Sequence, residues 1–111
     1  MDNIKDDVYY VNKMLADMEF MIEHTMGKTK EEIETDPLLT DSILFRLIQI
    51  AENGERLTSA FKQSHENLPW KAIKGMRNRI VHDYGVVDFT IVYDTVTVSI
   101  PELYKSLKSV L

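Results

Sequence analysis

The 111 residues predict an all-α protein, an antiparallel up-and-down bundle of four to five main helices. Three observations predict it. Two long stretches repeat apolar residues at alternating spacings of four and three, the period of a helix with one buried side. Asp, Thr and Pro stand where such stretches begin. With 4 Gly and 3 Pro, the chain is poor in the turn residues that a β-protein needs. A chain of this length buries roughly two-thirds of its unfolded surface, enough for one core and one domain over residues 1–111.

Ile4, Val8, Val11, Leu15, Met18 and Ile22 form the first seam. Asp2 or Asn3 caps its start, and Gly27 ends it. His24 falls in the last turn, where a partly protonated imidazole suits the negative helix end. Thr29-Lys30-Glu31-Glu32 reads as a capping box over one short helix. Asp36 then caps a new helix, with Pro37 at its first position. Ile43, Leu47, Ile50, Gly54, Leu57 and Phe61 make the second seam, widened by Leu44, Ile48 and Ala51. So broad a stripe belongs to a central helix or to one that also makes a dimer contact. Gly54 in its middle costs about 1 kcal/mol against Ala, which close approach of another helix would offset.

Asn67-Leu68-Pro69-Trp70 breaks the chain and starts another helix, lined by Ile73, Met76, Ile80 and Val81 and stopped by Gly85. Residues 90–100 are rich in Val, Thr and Ile and favour a strand on propensity alone. A lone strand needs partners, and no other segment supplies one. Asp88 is a fair cap, and Phe89, Val92, Val96 and Ile100 fit a helical face, so helix is expected. Pro101-Glu102 is expected to start a last helix with Leu103, Leu107 and Val110 inward.

Composition narrows function. The absence of Cys excludes a disulfide framework, a thiolate metal site and a cysteine nucleophile. No apolar run approaches the roughly 20 residues of a membrane helix. The acidic start, Asp2 to Asp7, lacks the apolar segment of a signal peptide, so a cytoplasmic protein is expected. The net charge of −5 speaks against wholesale coating by nucleic acid. Its distribution is uneven. Residues 1–61 carry 6 basic and 13 acidic side chains. Residues 62–82 carry Lys62, Lys71, Lys74, Arg77 and Arg79 against Glu66 alone. That stretch reads either as a solvated face or as a local anion site.

Within it, Arg77, Asn78, His82 and Tyr84 fall inside eight residues. Asn78 and His82 share a helix face at i, i+4, and Arg77 and Tyr84 share another at i, i+7. Arg77 and His82 stand about 140° apart around a regular helix. They converge only if the helix unwinds before His82 or if a second copy completes the site across a two-fold axis. Each residue also has a bland role. Arg77 can be a structural ion pair, His82 a helix-end residue and Tyr84 a packing residue, while Asp83 can pair with Arg79.

The pattern Arg-x4-His-x-Tyr, here Arg77, His82 and Tyr84, resembles the signature of HepT-like toxins in the HEPN superfamily. The flanking blocks extend the resemblance over essentially the whole chain. They are Leu47-Ile48-Gln49-Ile50-Ala51-Glu52, His65 through Ile73, Gly75-Met76-Arg77-Asn78, Val87-Asp88, Ile91-Val92-Tyr93 and Pro101-Glu102-Leu103. Ala51, Glu66 and Tyr93 depart from the family pattern, away from the motif. The resemblance implies a homodimeric HEPN-type bundle with the motifs at the interface. It implies a metal-independent endoribonuclease toxin without a cofactor, whose partner is a minimal nucleotidyltransferase antitoxin. Arg77, His82 and Asn78 would be catalytic, and Lys74, Arg79 and Lys71 would meet RNA phosphate. Tyr84 would accept AMP from the antitoxin. The alternative is a non-catalytic subunit that presents substrate or nucleotide to a nucleotidyltransferase.

Overall fold

The computed structural model describes residues 5–82 and 88–111, with the helical backbone alone for Ile80, Val81 and His82. Helix α1 spans Asp7–Thr25. Its cap is Asp6, whose side chain accepts from the Tyr9 N–H at 3.0 Å. This corrects the start anticipated at Asp2 or Asn3; those residues and Ile4 lie outside the described ones. The true stripe is Val11, Met14, Leu15, Met18 and Met21, all buried, whereas Val8 is 51% exposed. Gly27, at φ +75°, follows the helix end as its position suggested.

Helix α2, Lys30–Glu34, starts with the full capping box between Thr29 and Glu32. Helix α3, Pro37–Glu55, is capped by Asp36, which accepts from the Leu39 N–H at 3.2 Å. The second seam does not stay on one helix. Helix α3 ends at Glu55, and Thr58 caps a short helix α4, Ser59–Ser64. The Asp7 carboxylate accepts from both the Thr58 N–H and its hydroxyl, at 2.8 and 2.7 Å. This ties the corner to the start of α1, and Leu57 still reaches the core from outside the helix.

The Trp70 indole N–H donates to the His65 carbonyl at 2.9 Å, and Phe61 lies against both rings. This aromatic group fixes the path of the chain into helix α5, Trp70–His82. Helices α3 and α5 cross at Gly54. A Cβ placed there would sit 3.1 Å from Ile73 Cγ2 and 3.6 Å from Met14 Cε. The close approach expected at this glycine is therefore present.

Asp88 caps helix α6, Phe89–Asp94. The chain then widens into a π turn, Thr95–Ser99, and continues as helix α7, Ile100–Lys108. Helix is the expected state, and Pro101 stands in the first turn of α7 as expected, although the helix follows the π turn without a break. Proline lacks the N–H for an ordinary helical bond and crowds the preceding turn. In the π turn, the Ile100 N–H instead reaches the Thr95 carbonyl. Thr95 and Thr97 hydroxyls donate to the carbonyls of Ile91 and Tyr93, at 2.8 and 2.7 Å. These local bonds suit threonine to the helix despite its strand propensity.

Val92, Val96, Ile100, Leu103 and Leu107 join the stripes of α1 and α3 in one buried cluster. Helix α1 packs against α3 and α7, and α3 packs against α5. The described residues contain helices and no strand, in agreement with the predicted bundle.

Candidate functional site

Helix α5 divides the polar side chains that the sequence singled out. Arg77, Asn78 and Lys74 face the end of α3. With Ala51, Glu52 and Glu55 they line an open depression of about 290 Å³. Arg77 donates its Nε–H to the Glu52 carboxylate. Lys74 and Lys62 both approach Glu55 at 3.7 Å. The Arg77 and Glu52 side chains are 43% and 40% exposed, so a ligand can reach the pair from solvent.

Lys71 and Arg79 lie elsewhere. They border a cavity of about 610 Å³ between α5 and the π turn, floored by Ile73, Ile100 and Leu103. The three cations grouped in the sequence as phosphate ligands are thus split, with Lys74 beside Arg77 and the other two around the helix. Arg77 and Arg79 are two residues apart, about 200° around a helix, which accounts for the place of Arg79.

The backbone of α5 remains helical through His82. Unwinding before His82 is therefore not how Arg77 and His82 could meet. Asp83, Tyr84 and Gly85 lie outside the described residues.

Glu52 is the residue at this depression to which the sequence assigned no role. It was visible in the Leu47–Glu52 block, but its pairing spans 25 residues of sequence and no periodicity within one helix reveals it. Two carboxylates and two cations share the depression, so its charges are nearly balanced. With Nε–H directed to Glu52, the two Nη groups of Arg77 can still donate to an oxyanion.

Among the described residues, the other close ion pair is structural. Arg46 meets Asp17 at 2.7 Å and lies 3.7 Å over the Phe20 ring. Burial pushes the Asp17 carboxyl above its ordinary value, with Arg46 opposing that shift. Among the described residues, no group of three His, Asp or Glu is arranged to hold a metal ion. No described helix is long and apolar enough to cross a membrane.

The described residues thus form a helical-bundle domain with an arginine–asparagine pair in a solvent-open depression. The chain belongs to the HepT-like ribonuclease family, whose model, "Ribonuclease HepT-like", matches residues 14–110. It is 36% identical over 102 residues to a "putative RNase" of Caldanaerobacter subterraneus subsp. tengcongensis, covering 92% of this chain and 91% of that one. It is 27% identical over 94 residues to a "probable ribonuclease HepT" of Thermococcus cleftensis, covering 85% and 86%. A "putative RNase" of Methanocaldococcus jannaschii is 23% identical over 107 residues, covering 96% and 92%. No solved structure matches the chain.

Proposed function

We propose that the protein is a metal-independent endoribonuclease, the toxin of a toxin–antitoxin pair, with a composite active site between two copies. The grouping of Arg77, Asn78 and Lys74 in one accessible depression carries this reading. RNA supplies its own nucleophile, the 2′-hydroxyl beside the scissile phosphate. His82, whose side-chain type titrates near neutrality, takes the 2′-hydroxyl proton or protonates the leaving 5′-oxygen. The 2′-oxygen bonds to phosphorus, the bond to the 5′-oxygen breaks, and a 2′,3′-cyclic phosphate results. Arg77 stabilises the charge that develops on the phosphorane oxygens. Asn78 orients His82, one helical turn on, or holds a phosphate oxygen.

The 140° between Arg77 and His82 on a regular helix supports the two-fold dimer. So does the outer face of α3. Leu38 is 85% exposed and Phe45 is 60% exposed. They are seven residues apart, and Glu52 follows after seven more, so two exposed apolar side chains share the face of α3 that ends at the depression. The partner is a minimal nucleotidyltransferase antitoxin that adds AMP to Tyr84. The added bulk and negative charge, two residues from His82, would repel RNA phosphate.

The test is RNA cleavage by antitoxin-free protein, with His82→Ala and Arg77→Ala as controls, in EDTA. Wild-type cleavage is expected to persist, and each variant should lose at least 10²-fold. Loss on chelation with recovery in Mg²⁺ would refute the metal-independent mechanism. A folded wild type that binds the nucleotidyltransferase but cuts no RNA would assign the alternative, a non-catalytic partner subunit. Mass spectrometry after co-expression should place AMP on the peptide that contains Tyr84.

A further inference from the structure

We propose that Glu52 is a positioning residue for Arg77, a role that rests on the ribonuclease reading above. The Glu52 carboxylate holds the Nε edge of the guanidinium and so leaves its Nη groups free to meet an oxyanion in the depression that both residues line. Helix packing makes the hold reproducible. The Gly54–Ile73 crossing fixes the separation of α3 and α5. Glu52 lies two residues before Gly54, and Arg77 lies one helical turn after Ile73. The rigid crossing therefore keeps carboxylate and guanidinium opposite one another.

The arrangement has two opposed effects on RNA. Orientation of the guanidinium favours the transition state, because a donor misplaced by about 1 Å can cost 10²-fold. The Glu52 charge opposes ground-state binding of phosphate, since it lies on the same guanidinium that phosphate must approach. Interactions that are stronger in the transition state than in the ground state raise kcat. A bystander ion pair would share the second effect but not the first, so kcat distinguishes the roles.

Three measurements on the full chain test this, with wild type, Glu52→Ala and Glu52→Gln. In RNA cleavage, Glu52→Ala should lower kcat about 10- to 100-fold. Its KM should fall or stay unchanged. Glu52→Gln keeps a hydrogen-bond acceptor without the charge and should restore kcat to within a few-fold. Binding of fully 2′-O-methylated RNA, which cannot be cut, should tighten several-fold in both variants.

The third measurement is the ¹⁵N-labelled arginine Nε–H spectrum, which is sparse because the chain has four arginines. The Arg77 signal, assigned with Arg77→Lys, should be protected from exchange in wild type and Glu52→Gln and lose protection in Glu52→Ala. An unaltered Arg77 signal in Glu52→Ala overturns the proposal. So does an equal loss of kcat in Glu52→Ala and Glu52→Gln, which would make charge the operative property. A wild type that cuts no RNA refutes the ribonuclease reading instead, and the Nε–H signal alone then decides whether Glu52 holds Arg77.

Discussion

Gly54 of α3 lies so near Ile73 of α5 that a β-carbon on the glycine would stand 3.1 Å from Ile73 Cγ2. Ile73 is only 3% exposed, so its side chain has little room to withdraw. Alanine at this position gains about 1 kcal/mol of helix propensity. It loses a similar amount by crowding, since overpacking a core costs about 1–3 kcal/mol. Gly54→Ala should therefore lie within about 1 kcal/mol of wild type. Gly54→Val should lose about 2–3 kcal/mol in urea unfolding. Because the same contact sets the distance from Glu52 to Arg77, Gly54→Val should also impair RNA cleavage while the protein is still folded. A fully active Gly54→Val would separate the crossing from the site.

Phe45 tests the second copy. Phe45→Glu adds a charge to the exposed strip on α3 without disturbing a core residue. Light scattering should give twice 12.9 kDa for wild type and 12.9 kDa for the variant. RNA cleavage should fall with the dimer. A monomeric wild type that cleaves RNA at full rate would refute the composite site.

Arg46 and Asp17 supply a pH-dependent test. The Asp17 side chain is 15% exposed and raised above its ordinary value by burial, which Arg46 partly offsets. Arg46→Met leaves that carboxylate without its partner. The cost should be about 2 kcal/mol at pH 7, below the 3–5 kcal/mol of fully buried pairs. A carboxyl whose folded value is raised is unfavourable while ionised, and the penalty disappears as pH falls through that value. Thermal unfolding of Arg46→Met should therefore approach wild type near pH 4 and diverge from it near pH 7. The same deficit at both pH values would show that lost packing on Phe20 dominates.

Glu32 should show the opposite sign. The Thr29 backbone N–H, followed by its side chain, lowers the Glu32 carboxyl below its usual value. A group lowered on folding contributes stability above its unfolded value and loses it as pH falls through the folded one. Between pH 5 and pH 2, wild type should therefore lose more of its melting temperature than Glu32→Gln. Parallel curves for the two proteins would mean that the capping box is broken in solution.

The features legible in sequence were the local ones. Thr29, Asp36 and Asp88 cap helices where their side-chain chemistry placed them. Residues 90–100 were legible as helix from the Asp88 cap, the shared face of Phe89, Val92, Val96 and Ile100 and the want of a partner strand; their Thr–carbonyl bonds then explain how a strand-prone run complies. The end of α3 was not legible, since Leu57 and Phe61 keep the helical spacing across a break that Asp7 enforces from 51 residues away. The site divides in the same way. Arg77, Asn78 and Lys74 are neighbours on one helix, and their grouping follows from its period. Glu52 comes from another helix, so tertiary packing alone supplies it.

The π turn at Thr95–Ser99 also bears on register. A wider turn is an α-helix that has taken in one residue, and each residue in a regular helix rotates its successors by about 100°. The widening absorbs that rotation, so Leu103 and Leu107 still point inward after Pro101. This short segment is therefore where the C-terminal rod can change length by one without turning its core face to solvent. Shortening it at the exposed Val98 should be tolerated only together with Pro101→Ala, because the narrowed turn would no longer accommodate the proline ring. Insertions and deletions among relatives should fall here and be coupled to that one proline.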